Sequence, residues 1–589
     1  EDYNQGTTST GLSIRGFNTQ GDVPAVKLLI DGIPSNYHAG QSELKTVFPL
    51  EIDRIEVVKG TNDPRYGMNN VAGNVNVFTR RGENVQIARL LGGSFRTLEP
   101  QVLAGWKTGA FDQTYFLGYR TSEGWRQNSA MDRIAGSAKW FYEPSSRTKL
   151  GLITRGMIFR AQSPGYLTPE EARATPRLSP EYARQDAGKQ HWAHASAHLD
   201  HSFSDGVSLQ AKAYLQSLLR DRHVSFDPDM QQQLRRADDV QHGAIAVFTY
   251  RGSSGFSLEL GADYQGQNNL DLRYNTIARV PDGKPVRDHK FTYNNAGSYI
   301  QASLKPFRAL KLAGGIRADY LWGKLNDRGA NERYDMNDFG VIWQPKLSAA
   351  WTFFEGQRLY ANYGRTWQVN TGIGAYRTSA GAQLDPSIND GWEAGFRSSV
   401  LPWLNARVAA WQQLASREVR LKQDNSGESE NVGKTSRYGL DAELVITPVS
   451  WLSLWGAFSP VKAKQIEPGR EDGAEARRDK TLNHVPWFSA KAGIDYKRWE
   501  GLYVSLWAYA QGAYYLTKEN DGPAMGDYIV VNLDSRYQVN QFLELGLSIK
   551  NLLNDDYDAS IWFKDYGQIG SLHSPAAPLS AYVSATLTL

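Results

Sequence analysis

"YIQASLKPFRALKLAGGIRADYL" (residues 299–321) decides the fold. Before its turn, Ile300, Ala302 and Leu304 fall on one face, with Gln301, Ser303 and Lys305 on the other. After it, Leu310, Leu312, Ile316, Ala318 and Tyr320 continue the apolar face, while Lys311, Arg317 and Asp319 take the polar one. A period of two belongs to a strand, because successive side chains leave it on opposite sides. The stretch therefore reads as two long strands joined by a tight turn.

The same device recurs from about residue 85 onward, around "TGAFDQ", "YEPSSR", "FSDGV", "RGSSGF", "LKPFRA", "FFEGQ", "VLPWL", "TPVSW", "RWEGL" and "QVNQF". Longer polar stretches separate them, such as residues 163–188, 267–289 and 462–484. Short turns on one side and long loops on the other are the pattern of an outer-membrane barrel. About ten short turns, with both chain ends on their side, require about twenty-two strands. A soluble propeller or sandwich would give shorter strands and more even loops. The last stretch, "AYVSATLTL", alternates Ala581, Val583, Ala585, Leu587 and Leu589 against Tyr582, Ser584, Thr586 and Thr588, and closes the sheet. Without closure a free edge would lie in lipid. Tryptophan and tyrosine near strand ends, as in "WLSLWGAFS" and "LYVSLWAYA", suit interfacial belts.

Composition agrees with a barrel and excludes other classes. No apolar run reaches the roughly 18 residues of a membrane helix, and mean hydropathy is −0.50. A barrel tolerates such polarity because alternate residues face the lumen. There is no cysteine, so disulfides, thiolate metal sites and cysteine nucleophiles are excluded. A net charge of +3 over 589 residues gives no argument for nucleic acid. Glu1 is preceded by neither a basic nor an apolar leader segment, so any signal peptide is expected to be absent from this sequence.

Residues 1–82 read differently. "VKLLIDG", "RIEVVKG" and "NVNVFTR" are short strand candidates separated by Gly, Pro and Asn. A barrel of about twenty-two strands leaves an aqueous hole, and this compact, charged piece is the expected plug. "LSIRGF", "LLIDGIP", "PLEIDRIEVVKG", "RYGMNNVAGNVNVFTR" and the distant "LSIKNLLNDDYD" closely resemble the TonB-dependent outer-membrane transporters, and among them the siderophore receptors. The resemblance implies an all-β transmembrane barrel of 22 antiparallel strands over residues 83–589, in the outer membrane of a Gram-negative bacterium. Its lumen is closed by a mixed α/β plug over residues 1–82. The N-terminal part of the plug and the TonB box are expected to be missing, since Glu1 lies just before the IRG strand.

The resemblance also implies a function: import of an iron(III)–siderophore complex, with no enzyme activity and no resident cofactor, driven by the TonB complex of the inner membrane. A monomer surrounded by outer-membrane lipid and lipopolysaccharide follows. A plug-to-barrel latch falls on Arg15, Arg54, Glu56, Glu393 and the pair Asp441 and Glu443, which share a strand face. Plug-apex ligand contacts fall on Asn18, Gln20, Asn36, Tyr37, His38 and Gln41, with loop contributors Tyr166, Tyr376 and Arg377. The rival readings are a zinc, nickel or cobalt metallophore importer, hinted at by His38, a passive porin, and an outer-membrane hydrolase.

Two temptations are weighed on chemistry. "HWAHASAHLDH" sets His191, His194, His198 and His201 at three- and four-residue steps, which on a helix would suggest zinc. On a strand, His194 and His198 stand about 13 Å apart, too far to share an ion, so no metal site built by protein side chains is expected. "FRAL" (residues 307–310) faintly resembles a haem-receptor motif, but lies in a short turn without the companion histidine segment. No nucleophile elbow, H-E-x-x-H pair or phosphate loop occurs.

Overall fold

A computed structural model describes the chain except residues 1–4, 8–10, 18–24, 38–39, 41, 83, 227, 253–254, 370–371, 378–384, 422–428, 470–473 and 565–569. Twenty-two strands close into one antiparallel barrel, from Val85–Gly93 to Ser580–Thr588. Two short strands, Val280–Pro281 and Glu332–Asp335, extend hairpins on the loop side. Closure pairs Tyr582 with Gly93 and Thr588 with Ile87, so no wall strand keeps a free edge. All ten short turns read from the sequence connect wall strands on one side of the barrel.

The alternation sorts residues between lipid and lumen. Ile300 and Tyr320 are about 45% exposed on the outside, whereas Arg317 and Asp319 of the same hairpin are sealed within. The outer wall carries aromatic side chains near the turns, among them Phe203, Phe307, Phe354, Trp403, Trp499 and Phe542. A second set, including Tyr119, Trp322, Trp343, Trp392, Tyr438 and Trp487, lies toward the loops, with leucine, valine and isoleucine between. That is the double aromatic girdle of a membrane barrel. No described helix is long and apolar enough to cross a membrane.

Inside sits a four-stranded mixed sheet: β1 (Val26–Ile30), β2 (Ile33–Pro34), β3 (Ile52–Lys59) and β4 (Gly73–Thr79), in the order β2-β1-β4-β3. β1 and β4 are parallel, with Val26 opposite Gly73. Val26, Leu28, Ile30, Val71, Val75 and Val77 make its small core. Among the described residues, helix in this domain is limited to the 3-10 turn Pro49–Glu51. The wall yields to the plug at Gly364 and Gly391. A Cβ on Gly364 would meet the Thr61 carbonyl oxygen at 2.3 Å, and one on Gly391 the Thr61 hydroxyl at 2.5 Å.

Candidate functional site

The plug is tied to the wall at separate stations. At the first, Arg15 projects from the IRG turn with a left-handed backbone (φ 56°). Its Nε donates to Asp441 Oδ2 at 3.0 Å, and its Nη2 to Glu393 Oε2 at 2.5 Å and to Asp441 Oδ2 at 2.8 Å. The guanidinium lies 4.6 Å from the Trp411 ring centre. Glu393 also accepts from the Tyr360 hydroxyl (2.7 Å) and Arg407 (3.3 Å). Asp441 accepts from Ser459 (2.9 Å). Lys59 at the end of β3 faces Asp441 at 3.7 Å and Glu443 at 3.4 Å, and Arg407 reaches Glu443 at 3.1 Å. Three cations thus meet three carboxylates, so the site is neutral as a whole while each member depends on its neighbours.

Arg15, Glu393, Asp441 and Glu443 therefore lie in one ion-pair cluster. Arg54 and Glu56 do not join them. They lie exposed on β3 and bond to each other (3.0 Å), with Arg54 also on Asp53 (3.1 Å). The plug cation that reaches the wall from this strand is Lys59, which the sequence reading missed although it sits in the same "RIEVVKG" segment.

A second station was also missed. Plug residues Asp31 and Glu51 face Arg155 of the wall, whose Nη2 donates to Asp31 Oδ2 at 2.6 Å and whose Nη1 donates to Glu51. Ser137 donates to Glu51 at 2.6 Å, Lys139 to the Arg80 carbonyl at 2.7 Å, and Lys212 to the Asp31 carbonyl at 3.0 Å. Burial alone would raise the Asp31 carboxyl, but Lys139, Arg155 and two hydrogen bonds from Thr79 hold it well below the usual carboxylate range. Elsewhere Lys346 donates at 2.5 Å to the carbonyls of Thr61 and Arg365, and Arg437 stacks 3.9 Å over Phe17. Nothing in the sequence pairs a plug carboxylate with a wall arginine more than a hundred residues away.

Of the expected ligand contacts, Asn18, Gln20, His38 and Gln41 lie outside the described residues. Asn36 is turned into the plug, where its amide donates to the Val26 and Gly40 carbonyls and accepts from Leu28 N–H. Tyr37 is buried against Phe48 and Phe159, its hydroxyl bonded to the Trp192 indole. Tyr376 is sealed beside Phe291 and donates to the Thr292 carbonyl at 3.1 Å. Tyr166 is half-buried, and its carbonyl accepts from Tyr182 at 2.7 Å. Arg377 is exposed on the loop side. These aromatic groups serve packing in this conformation. His194 and His198 each lie within 3.0 Å of the Ser196 hydroxyl, so the strand joins them through a serine.

Among the described residues, two cavities adjoin the plug. One of about 730 Å³ runs between the Arg15 turn and the C-terminal quadrant of the wall, past Trp411, Lys491, Trp507, Tyr509, Tyr528 and Lys550. The other, of about 460 Å³, opens toward the loops where plug residues Leu44 and Lys45 meet the wall around Trp125, Arg126 and Arg133. Both fall in the size range of small-molecule sites, about 300–1,000 Å³.

The comparisons with known proteins follow this geometry. A family model described as TonB dependent receptor-like, beta-barrel matches residues 105–552, and one described as TonB-dependent Receptor Plug Domain matches residues 2–74. Among solved structures, the chain is similar to the unliganded ferric citrate transporter FecA: TM-score 0.85, 17% identity, covering 100% of this chain and 92% of that one. It is similar to the siderophore receptor PiuA from Acinetobacter baumannii with TM-score 0.84, 14% identity, and coverage of 100% and 92%. The copper transporter OprC matches with TM-score 0.79, 14% identity, and coverage of 99% and 93%. At such identities these likenesses establish the fold. With its closed barrel, its internal plug and the family match over most of its length, the chain belongs to the TonB-dependent receptor family of the outer membrane.

Proposed function

We propose that this receptor imports a ferric siderophore, taking it up between plug and loops and releasing it inward when the TonB complex does mechanical work on the plug. The observation that carries this reading is a lumen occupied by a sheet domain tied to the wall through buried ion pairs at two stations. A chelate cannot pass such a plug until those contacts part, so passage requires an energy source and a passive porin is disfavoured. Each contact is also reversible, since an intact buried pair contributes little net stability while holding geometry. No bond in the cargo need be made or broken, and a hydrolase is correspondingly disfavoured. The likeness to siderophore transporters supports iron as the metal, whereas the likeness to a copper transporter supports the second reading, a non-iron metal complex.

Quenching of intrinsic tryptophan fluorescence tests the reading. The full-length receptor is titrated with ferric chelates, with zinc, nickel, cobalt and copper complexes, and with each chelator free of metal. Saturable binding of a ferric chelate, with weaker response to the metal-free form, is expected. Response to a non-iron complex alone would transfer the assignment to the second reading.

A further inference from the structure

The stretch "HWAHASAHLDH" has an outer face that transport does not use. His194 and His198 turn into the lumen, while His191, Ala193, Ala195 and Ala197 alternate with them and lie exposed on the lipid side. Gly156 and Ser217 are the cross-strand partners of Ala193, and Gly136 is the partner of Gly156. Four adjoining strands thus present almost no side chain at one level, framed by Leu117, Ile134, Ile158 and Leu219, which are 37–56% exposed. The result is a groove of about 470 Å³ in the outer wall. Along the strand Ala187–Ser204 the exposed alanines carry it on toward the turn side. From His191 to Ala197 it runs about 20 Å at the usual rise, and with the tilt of a barrel strand it descends about 15 Å, one leaflet of a hydrocarbon core about 30 Å thick.

The loop-side end of the groove is cationic. His191 lines it, and one pleat nearer the loops Arg160 and Lys189 stand directly opposite each other on adjacent strands, both exposed on the outer face. Like charges directly opposite one another destabilise a sheet. The acids of the same row are engaged elsewhere. Asp132 accepts from the Tyr119 hydroxyl at 2.8 Å, and Asp221, 3.5 Å from Lys189, is bound by Arg236 at 2.6 and 2.8 Å. Arg160 has no hydrogen-bond or ion-pair partner among the described residues. Asp238 closes the other end of the groove, across Leu219 from His191. Tyr119, in the cross-strand row of Ile134 and His191, belongs to the loop-side aromatic girdle, so this end lies at the depth of lipid head groups. A guanidinium and an ammonium above an apolar groove of leaflet depth complement a phosphate carried on acyl chains.

We infer that this groove binds a phosphorylated, acylated glycolipid of the outer leaflet. One acyl chain lies along Ala193, Ala195 and Ala197, and a phosphate sits between Arg160 and Lys189, beside His191. The inference rests on the outer-membrane placement of the barrel and is independent of its cargo. The occupant is a glycolipid and not a glycerophospholipid because the cationic end lies on the loop side, where the outer leaflet of an outer membrane is built of glycolipid. The phosphate converts the repulsion between Arg160 and Lys189 into two charge-assisted contacts.

Native mass spectrometry of the purified full-length receptor, stripped of lipid in detergent, tests it with three probes: diphosphorylated lipid A, its dephosphorylated form, and phosphatidylglycerol. Diphosphorylated lipid A is expected to fill one site, and the other two probes to bind it at least about tenfold more weakly. Arg160→Gln and Ala193→Leu should each weaken lipid A binding about tenfold, the first by removing a charged donor and the second by filling the groove. Ala246→Leu, at an exposed position of the strand Gln233–Arg251 outside the groove, should leave it unchanged. Heat-modifiable mobility in gels shows that each variant is folded. Indifference to either groove substitution, or an equal loss in Ala246→Leu, would overturn the site. Phosphatidylglycerol binding as tight as that of lipid A would overturn the glycolipid as its occupant.

Discussion

Arg15→Met is the sharpest perturbation the latch allows. The Arg15 side chain is 4% exposed and its partners Glu393 and Asp441 are 9% and 2% exposed. Removing the guanidinium leaves two enclosed carboxylates with only Arg407 and Lys59 to answer them, the latter 3.7 Å from Asp441. Breaking a buried pair of this kind costs about 3–5 kcal/mol, and a value of about 4 kcal/mol allows for the remaining cations and the lost contact with Trp411. At roughly 1–3 kcal/mol per molar of urea for a small domain, the plug should leave the lumen at a midpoint about 1–4 M lower. Conductance of the reconstituted receptor in a planar bilayer reads that midpoint, because an emptied barrel of this size conducts. Arg15→Met/Asp441→Asn restores charge balance, with Glu393 on Arg407 and Glu443 on Lys59, and should recover more than half of the loss. A single variant that opens at the wild-type midpoint, or a double variant no better than the single, would refute the latch.

Further tests follow from the same geometry. In a double-mutant cycle, Arg155→Ala and Glu51→Ala should show coupling of at least about 2 kcal/mol, since both side chains are 2% exposed; additive effects would show that the second station carries no load. Because the Asp31 pKa in the folded state lies below its unfolded value of about 4, its contribution to plug docking is complete above that pH and is lost on further acidification. Asp31→Asn should flatten the fall in the conductance midpoint below about pH 4, and an unchanged slope would place the titration elsewhere. Ile316→Arg, on the lipid face beside the lumenal Arg317, should destabilise the barrel by about 2–4 kcal/mol in refolding into vesicles; a neutral effect would mean that this face does not meet hydrocarbon.

The barrel was legible because its two signals are local. Alternation along 299–321 reports which side chains meet lipid, and paired turn residues mark each hairpin, so the turn positions carried the strand count. The Arg15, Glu393, Asp441 and Glu443 cluster was legible only through the family's motifs, since composition does not distinguish these from other lumenal charges. Arg54 and Glu56 shared a motif with a latch residue without sharing its direction: Lys59, three residues beyond Glu56 and so on the opposite face of the strand, reaches the wall instead. Asp31, Glu51 and Arg155 were hidden because the contact depends on how the closed barrel wraps the plug, a matter of three-dimensional register. Tyr37 and Tyr376 drew attention as aromatic groups near loops, yet each fills a packed cluster, which is the commoner use of a large ring.

The central claim, a plugged receptor that moves a ferric chelate only when energised, is tested most directly by labelled-iron uptake into cells whose sole receptor is the full-length protein. Surface binding and internal accumulation are measured with and without a protonophore. The account predicts that binding survives the protonophore and accumulation stops. Accumulation that continues at an undiminished rate would contradict it, because the chelate would then be crossing a barrel that needs no work to open.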